Sequence, residues 1–126
     1  MEYNEITGLI IQTAIDIHRK LGPGLLESVY HEILYYEIKK KLKVEKEVPI
    51  PVIWEEVRLD LGFRADLIVA DKVIVELKAV EKVAEVHKKQ LLTYLKLADK
   101  RLGLLINFNE VVLKNGITRV VNNLQE

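Results

Sequence analysis

The chain has 126 residues, of which 49% are hydrophobic and 30% are charged, with 19 lysines and arginines against 19 aspartates and glutamates. This length suits a single domain over residues 1–126, and the apolar fraction excludes a disordered or collagen-like chain. The absence of cysteine excludes disulfides, a thiolate zinc site and a cysteine nucleophile. The net charge of zero leaves a nucleic-acid partner undecided, because the total shows no basic field.

The apolar segments are too short to cross a membrane. The longest runs, at residues 67–70, 73–75 and 102–106, fall far below the roughly 20 residues that a bilayer span requires. The first 12 residues hold two glutamates and no basic residue, unlike a signal peptide. We therefore expect a cytoplasmic protein that makes no contact with a membrane.

Two helices are predicted first along the chain. Apolar residues recur at helical spacing over residues 6–21. The Gly-Pro-Gly turn at residues 22–24 ends this helix, because proline and glycine suit a turn. A second helix is predicted from about residue 25 to about residue 40, with a buried side formed by Leu26, Val29, Ile33 and Leu34.

The pattern then changes to that of strands. Residues 44–54 are extended and contain two prolines, which favour the edge of a sheet. Residues 57–70 and 73–80 predict two strands joined by a short turn at Asp71 and Lys72. We expect Trp54, the single tryptophan, to pack on the sheet.

The last third of the chain predicts a helix, a strand and a hairpin. Helical character returns over residues 82–98, and residues 102–108 predict a buried strand. Asn115-Gly116 lies between two apolar runs, which is typical of a hairpin turn. The order of elements predicts an α/β fold in which helices pack on a mixed sheet.

Three charged residues, Asp66, Glu76 and Lys78, lie within the two strands predicted to be buried. Burying unpaired charges costs several kcal/mol, so their presence needs an explanation. If the strands pair symmetrically about Asp71, through an odd-length turn, Asp66 faces Glu76 and Lys78 shares their face. A two-residue turn would instead place Asp66 and Glu76 on opposite faces. A functional site therefore predicts the odd-length turn.

Two converging carboxylates suit a hard divalent cation such as Mg²⁺. Such an ion polarises a phosphoryl oxygen and lowers the pKa of bound water. Lys78 would then orient or deprotonate that water, or stabilise charge on the phosphate. The alternative is a ladder of cross-strand ion pairs, with Arg64 opposite Lys78 and no metal. The spacing of the residues leaves both interpretations open.

The same residues resemble a known motif. Asp66, nine intervening residues and Glu-Leu-Lys at residues 76–78 resemble the PD-(D/E)xK nuclease motif, with Ala65 in place of the nominal proline. Gln90 and Tyr94 resemble the Gln-x-x-x-Tyr motif of the RecB-like branch, and their spacing places them on one helix face. They would hold a phosphate, a base or the catalytic lysine. The alternative is that Tyr94 packs in the core with Gln90 at its margin.

A second resemblance lies at residues 21–30. Gly24, Glu27 and Tyr30 match the signature of the GxxExxY family, a small-domain branch of the same superfamily. This resemblance implies a restriction-endonuclease-like fold, in which a central mixed β-sheet is flanked by α-helices.

The resemblance also implies a set of site residues. Glu27 would join Asp66 and Glu76 in binding Mg²⁺ or Mn²⁺, with the backbone carbonyl of Leu77 as a further ligand. Glu27 has the alternative role of a first-turn acid favoured by the helix dipole. Tyr30 is either a substrate contact or a core tyrosine whose hydroxyl is hydrogen-bonded. The three histidines are expected at the surface or behind the site, not as ligands: His18, His31 and His87.

The resemblance implies a Mg²⁺- or Mn²⁺-dependent nuclease that hydrolyses phosphodiester bonds of DNA, or of RNA. Asp66, Glu76 and Lys78 would be catalytic, and Gln90 and Tyr94 would position the substrate. The rival interpretation is a non-catalytic module that binds nucleic acid or a protein, and a small-molecule phosphodiesterase also stays open. Because the short chain has no obvious clamping domain, a homodimer or a protein partner is expected to help hold the substrate. A basic rim hidden by the neutral total would consist of Lys82, Lys88, Lys89 and Lys96.

Overall fold

A five-stranded mixed β-sheet with helices on both faces organises the computed structural model, which describes residues 1–125. The helices are α1 (Tyr3–Leu21), α2 (Glu27–Lys39) and α3 (Glu85–Leu97), with a 3₁₀ turn at Leu113–Gly116. The strands are β1 (Val44–Pro49), β2 (Val52–Trp54), β3 (Val57–Leu59), β4 (Arg64–Val69), β5 (Val73–Lys78), β6 (Leu102–Asn107) and β7 (Ile117–Val121).

The central sheet has the strand order β1-β4-β5-β6-β7, and β2 and β3 form a separate two-stranded ribbon. Strands β5 and β6 are parallel because α3 crosses between them, and the other neighbouring pairs are antiparallel. Helices α1 and α2 cover one face of the sheet, and α3 covers the other. This architecture confirms the predicted fold class, and it places the proline-containing strand β1 at an edge as predicted.

Helix α1 ends at Leu21 as predicted, because Gly22 and Gly24 adopt positive φ angles of 72° and 101° that favour glycine. The predicted buried side of helix α2 is confirmed for Leu34, which is fully buried, and in part for Ile33, which packs against the core, but not for the other two residues. Leu26 precedes the helix in an extended conformation and is 73% exposed, and Val29 is exposed as well. Besides Leu34, the helix buries Tyr30, His31 and Ile38. Within residues 1–125, no helix is long and apolar enough to span a bilayer.

The single strand predicted over residues 57–70 is wrong, because the chain turns between β3 and β4. Gly62 lies in this connection with a φ of 87°. Strand β3 pairs with β2 and not with the central sheet. Trp54, at the end of β2, is 69% exposed, so the expectation that it packs on the sheet is also wrong.

The hairpin predicted at Asn115-Gly116 is wrong too. Both residues lie in the 3₁₀ turn, and the connection from β6 to β7 spans residues 108–116. A Cβ atom at position 116 would lie 2.6 Å from the carbonyl oxygen of Asn107. Glycine is therefore needed here because the backbone of β6 passes close by, and not because a two-residue turn requires it.

Candidate active site

The β4–β5 hairpin has the register that a functional site predicts. Leu67 pairs with Val75 and Val69 pairs with Val73 around a three-residue turn at residues 70–72. The pairing is symmetric about Asp71, so one further step places Asp66 opposite Glu76. The predicted odd-length turn is confirmed.

The Asp66 and Glu76 carboxylates each bond to the backbone of the opposite strand. Asp66 Oδ2 accepts a hydrogen bond of 2.8 Å from the amide of Leu77. Glu76 Oε1 accepts one of 3.3 Å from the amide of Asp66. These reciprocal bonds hold the two side chains side by side at the open end of the hairpin.

The environment of Glu76 opposes its ionisation. Its side chain is only 9% exposed. Burial, followed by the charge of Asp66 and a hydrogen bond between the two carboxyl groups, raises the pKa of Glu76 to about 9. At neutral pH, and without a cation, the pair therefore retains a proton.

Lys78 is the last residue of β5 and is half-buried. Its ammonium lowers the pKa values of both Glu76 and Glu27, which places it within electrostatic range of the two acids. No hydrogen bond or ion pair joins its side chain to any other residue of the described part of the chain. The ion pairs found in residues 1–125 all lie elsewhere, so the proposed ladder of Arg64 and Lys78 is not formed.

A buried asparagine that the sequence interpretation missed fixes the backbone beyond Lys78. Asn107 is fully buried at the end of β6, beside Lys78 in the parallel pairing. Its Nδ2 donates to the Val80 carbonyl at 2.8 Å, and its Oδ1 accepts from the Val80 amide at 3.1 Å. The one available signal in the sequence is a polar residue that ends the apolar run of β6.

Glu27 is the first residue of α2, and its side chain approaches the pair without joining it. Burial raises the pKa of Glu27, the charge of Lys78 lowers it and the charge of Asp66 raises it again. Across residues 1–125, no three Asp, Glu or His side chains come together closely enough to hold a metal ion. The structure therefore brings Asp66 and Glu76 together and leaves Glu27 nearby.

The two residues of the Gln-x-x-x-Tyr motif lie in different environments on α3. Tyr94 is buried, and its ring contacts that of Phe63 with a centroid distance of 5.8 Å. Burial and then the charges of Glu76 and Asp66 raise the pKa of Tyr94, so its hydroxyl lies near the pair. Gln90 is exposed one helical turn earlier.

Tyr30 belongs to the core, which is the second of the two roles expected for it, and not to a substrate-contacting surface. Its ring is fully buried and stacks on Phe108 with a centroid distance of 4.6 Å. Its hydroxyl donates to the Gly22 carbonyl at 2.6 Å and accepts from the Leu25 amide at 3.1 Å. Tyr30 therefore stabilises the Gly-Pro-Gly turn before α2, and its side chain is not accessible to a substrate.

The chemistry of the Asp66–Glu76 pair fits a hard divalent cation. Both side chains offer carboxylate oxygens, and Mg²⁺ is usually held by one or two carboxylates together with water. Burial and then the negative charge of Asp66 raise the pKa of Glu76, so the ionised form of Glu76 faces repulsion from Asp66. A divalent cation would remove this repulsion and displace the retained proton.

The mixed sheet with Asp, Glu and Lys at the open end of one central hairpin defines a restriction-endonuclease-like domain. A family model of the PD-(D/E)XK nuclease superfamily matches residues 4–120, and the chain belongs to this superfamily. No curated protein and no solved structure matches the chain.

Proposed function

We propose that the chain is a Mg²⁺- or Mn²⁺-dependent nuclease that hydrolyses phosphodiester bonds, with DNA as the preferred substrate over RNA. The observation that carries this proposal is the pair of half-buried Asp66 and buried Glu76 beside the unpaired Lys78. Within the superfamily, Gly24, Glu27 and Tyr30 support the GxxExxY branch, and Gln90 with Tyr94 supports a RecB-like relationship.

Asp66, Glu76 and the Leu77 carbonyl would hold the ion, and Glu27 would add a third carboxylate at the same edge. When bound, the ion polarises a phosphoryl oxygen and lowers the pKa of a water molecule. Hydrolysis joins the oxygen of water to phosphorus and breaks one P–O ester bond, and the leaving oxygen takes up a proton.

Lys78 has the free ammonium that this reaction requires. Because its side chain bonds to no other described residue, its three N–H groups are available to orient the attacking water and to stabilise charge on the phosphate. Asn107 supports this role, since it fixes the backbone directly after Lys78.

Helix α3 would guide the substrate towards the carboxylates. Gln90 is exposed on it, and Tyr94, one helical turn later, lies within electrostatic range of the pair. Exposed lysines on and before this helix would contact the phosphate backbone, namely Lys82, Lys89 and Lys96. Lys88 lies 3.8 Å from Glu85 and is partly neutralised by it.

A cleavage assay tests the proposal. The full chain is incubated with labelled single- and double-stranded DNA and RNA, in Mg²⁺, in Mn²⁺ or in a chelator. We expect metal-dependent cleavage, which Lys78→Ala reduces by about 10²–10⁴-fold because the water loses its positioning group. Lys43→Ala is the matched control, since Lys43 lies on the surface near the turn end of the same hairpin.

Cleavage that Lys78→Ala leaves unchanged would assign the activity to another site or to a contaminant. The absence of cleavage on all four substrates would instead support a non-catalytic binding module. One observation favours that second candidate: the β2–β3 ribbon exposes apolar side chains that a protein partner or a second copy of the chain would cover, namely Ile53, Trp54 and Val57.

A further inference from the structure

We propose that His31 is a positioning residue, which holds α2 against the strand that carries Asp66. It thereby sets the distance between Glu27 and the Asp66–Glu76 pair. This inference rests on the proposed function, because it assigns to His31 the assembly of the ion-binding carboxylates.

The central observation is one partly buried hydrogen bond. His31 is 7% exposed, and its Nε2 lies 3.0 Å from the carbonyl oxygen of Asp66. A carbonyl oxygen can only accept, so Nε2 carries the hydrogen. Among the side-chain hydrogen bonds of residues 1–125, this is the one that joins α2 to β4. Because His31 follows Glu27 by one helical turn, the bond acts on the same side of the helix.

Asp66 depends on this bond because the strand pairing is interrupted beside it. Strand β1 pairs Lys46 with Leu67 and Val48 with Ala65. Between these pairs, Glu47 lies opposite Asp66 but does not pair with it. Glu47 has a φ of 52°, which a regular strand does not adopt. Side chains therefore bind both main-chain groups of Asp66: Glu76 accepts from its N–H and His31 donates to its C=O.

A surface ion pair between Glu32 and Lys46 lies beside the imidazole and joins α2 to β1. The Nδ1 atom of His31 lies 3.5 Å from Oε1 of Glu32. The Glu32 carboxylate in turn lies 2.9 Å from the ammonium of Lys46 on β1. These contacts connect β1, α2 and β4 at the position where the ladder between β1 and β4 is interrupted.

The test is Mn²⁺ binding by the metal-free full chain, measured by calorimetry together with a thermal melt of each variant. His31→Leu removes the donor and keeps an apolar side chain, whereas His31→Gln keeps an N–H donor. His18→Leu is the matched control, because His18 is equally buried at 7% and its Nε2 lies 2.7 Å from the carbonyl of Glu110, in the connection between β6 and β7.

We expect His31→Leu to weaken Mn²⁺ binding by about 10–100-fold, the usual effect of losing a group that orients a ligand. His31→Gln should recover most of that affinity, and His18→Leu should bind Mn²⁺ like the wild type although its melting temperature falls. If His31→Leu does not fold, His31→Met, which also lacks the donor, replaces it.

Three results would overturn the role of His31 while leaving the proposed function intact: a donor-less variant that binds Mn²⁺ like the wild type, a His31→Gln variant as weak as the donor-less one, or an equal loss in His18→Leu. A wild type that binds no Mn²⁺ would overturn the proposed function and the role of His31 together.

Discussion

The two ends of the β4–β5 hairpin treat their acidic residues in opposite ways. At the turn, Asp71 is exposed and lies 2.9 Å from Lys43, whose hydrogen bond and charge lower the pKa of Asp71. At the open end, Glu76 is buried against Asp66, and its pKa is raised to about 9. The same two strands therefore hold one acid that is easily ionised and one that resists ionisation.

The difference shows which negative charges stabilise the folded chain and which do not. The ionised form of Asp71 gains a partner on folding, as surface acids commonly do. The ionised form of Glu76 loses water and gains a like-charged neighbour, so its negative charge destabilises the metal-free chain. The stability of the fold does not explain why acids occupy this position, whereas the proposed binding of a cation would explain it.

The largest expected effect concerns the pH dependence of stability, and Glu76→Gln tests it. Because the pKa of Glu76 is raised in the folded state, the folded chain holds a proton that the unfolded chain releases above about pH 4.5. The contribution of protonated Glu76 to the free energy of unfolding is therefore complete below that pH and is lost as the pH rises towards 9.

Urea titrations of metal-free protein between pH 5 and pH 9 measure this contribution. Wild-type stability should fall across the range by more than that of Glu76→Gln, which retains an oxygen to accept the amide hydrogen bond of Asp66. Parallel pH profiles for the two proteins would show that Glu76 is ionised in the folded chain and would remove the contrast between the two ends of the hairpin.

The second prediction compares two buried asparagines at opposite ends of the sheet. Asn107→Leu leaves the N–H and C=O groups of Val80 without their partner, at about 1–3 kcal/mol for each group. It should also lower kcat, because the backbone beyond Lys78 loosens. Asn122→Leu removes a bond of 3.0 Å to the Lys100 carbonyl near the turn end, so it should lower stability alone. Equal effects of both variants on kcat would contradict a specific role for Asn107.

The smallest expected effect is at the turn. Asp71→Asn removes a contribution that is present above the ordinary pKa of 3.8 and is lost as the pH falls. Its effect on stability should therefore be slight, present near neutral pH and lost on the acid side, so that its pH dependence is opposite in sign to that of Glu76. Chemical denaturation from pH 2 to pH 7 measures it. If the stability difference between the wild type and Asp71→Asn changed markedly above pH 7, the turn and the open end would be electrostatically coupled.

Most of the sheet and the central pair could be predicted because they depend on local patterns. Strand alternation and the requirement that Asp66 meet Glu76 were sufficient to predict the register of β4 and β5. Asn107 could not be recognised, since its partner Val80 is brought to it only when β5 and β6 pair across α3. The exposure of Trp54 could not be predicted for a related reason. The sequence of an apolar strand does not indicate whether the strand joins the central sheet or a separate ribbon.

At the site, too, tertiary contacts could not be predicted from local patterns. The position of the Glu27 carboxylate and the contact of His31 with Asp66 are the two examples. The motif places Glu27 at the start of a helix, but the distance from that helix to β4 is a tertiary property. The interruption of β1 at Glu47 and the bond from His31 to the Asp66 carbonyl appear only in the folded chain.

The most direct test of the central claim is a calorimetric Mn²⁺ titration of the wild type, Asp66→Asn and Asp71→Asn at neutral pH. We predict that the wild type and Asp71→Asn bind Mn²⁺ with equal affinity and release protons on binding, and that Asp66→Asn loses the binding. Equal binding by Asp66→Asn, or no binding by the wild type, would contradict the claim that the open end of the hairpin is a metal-dependent active site.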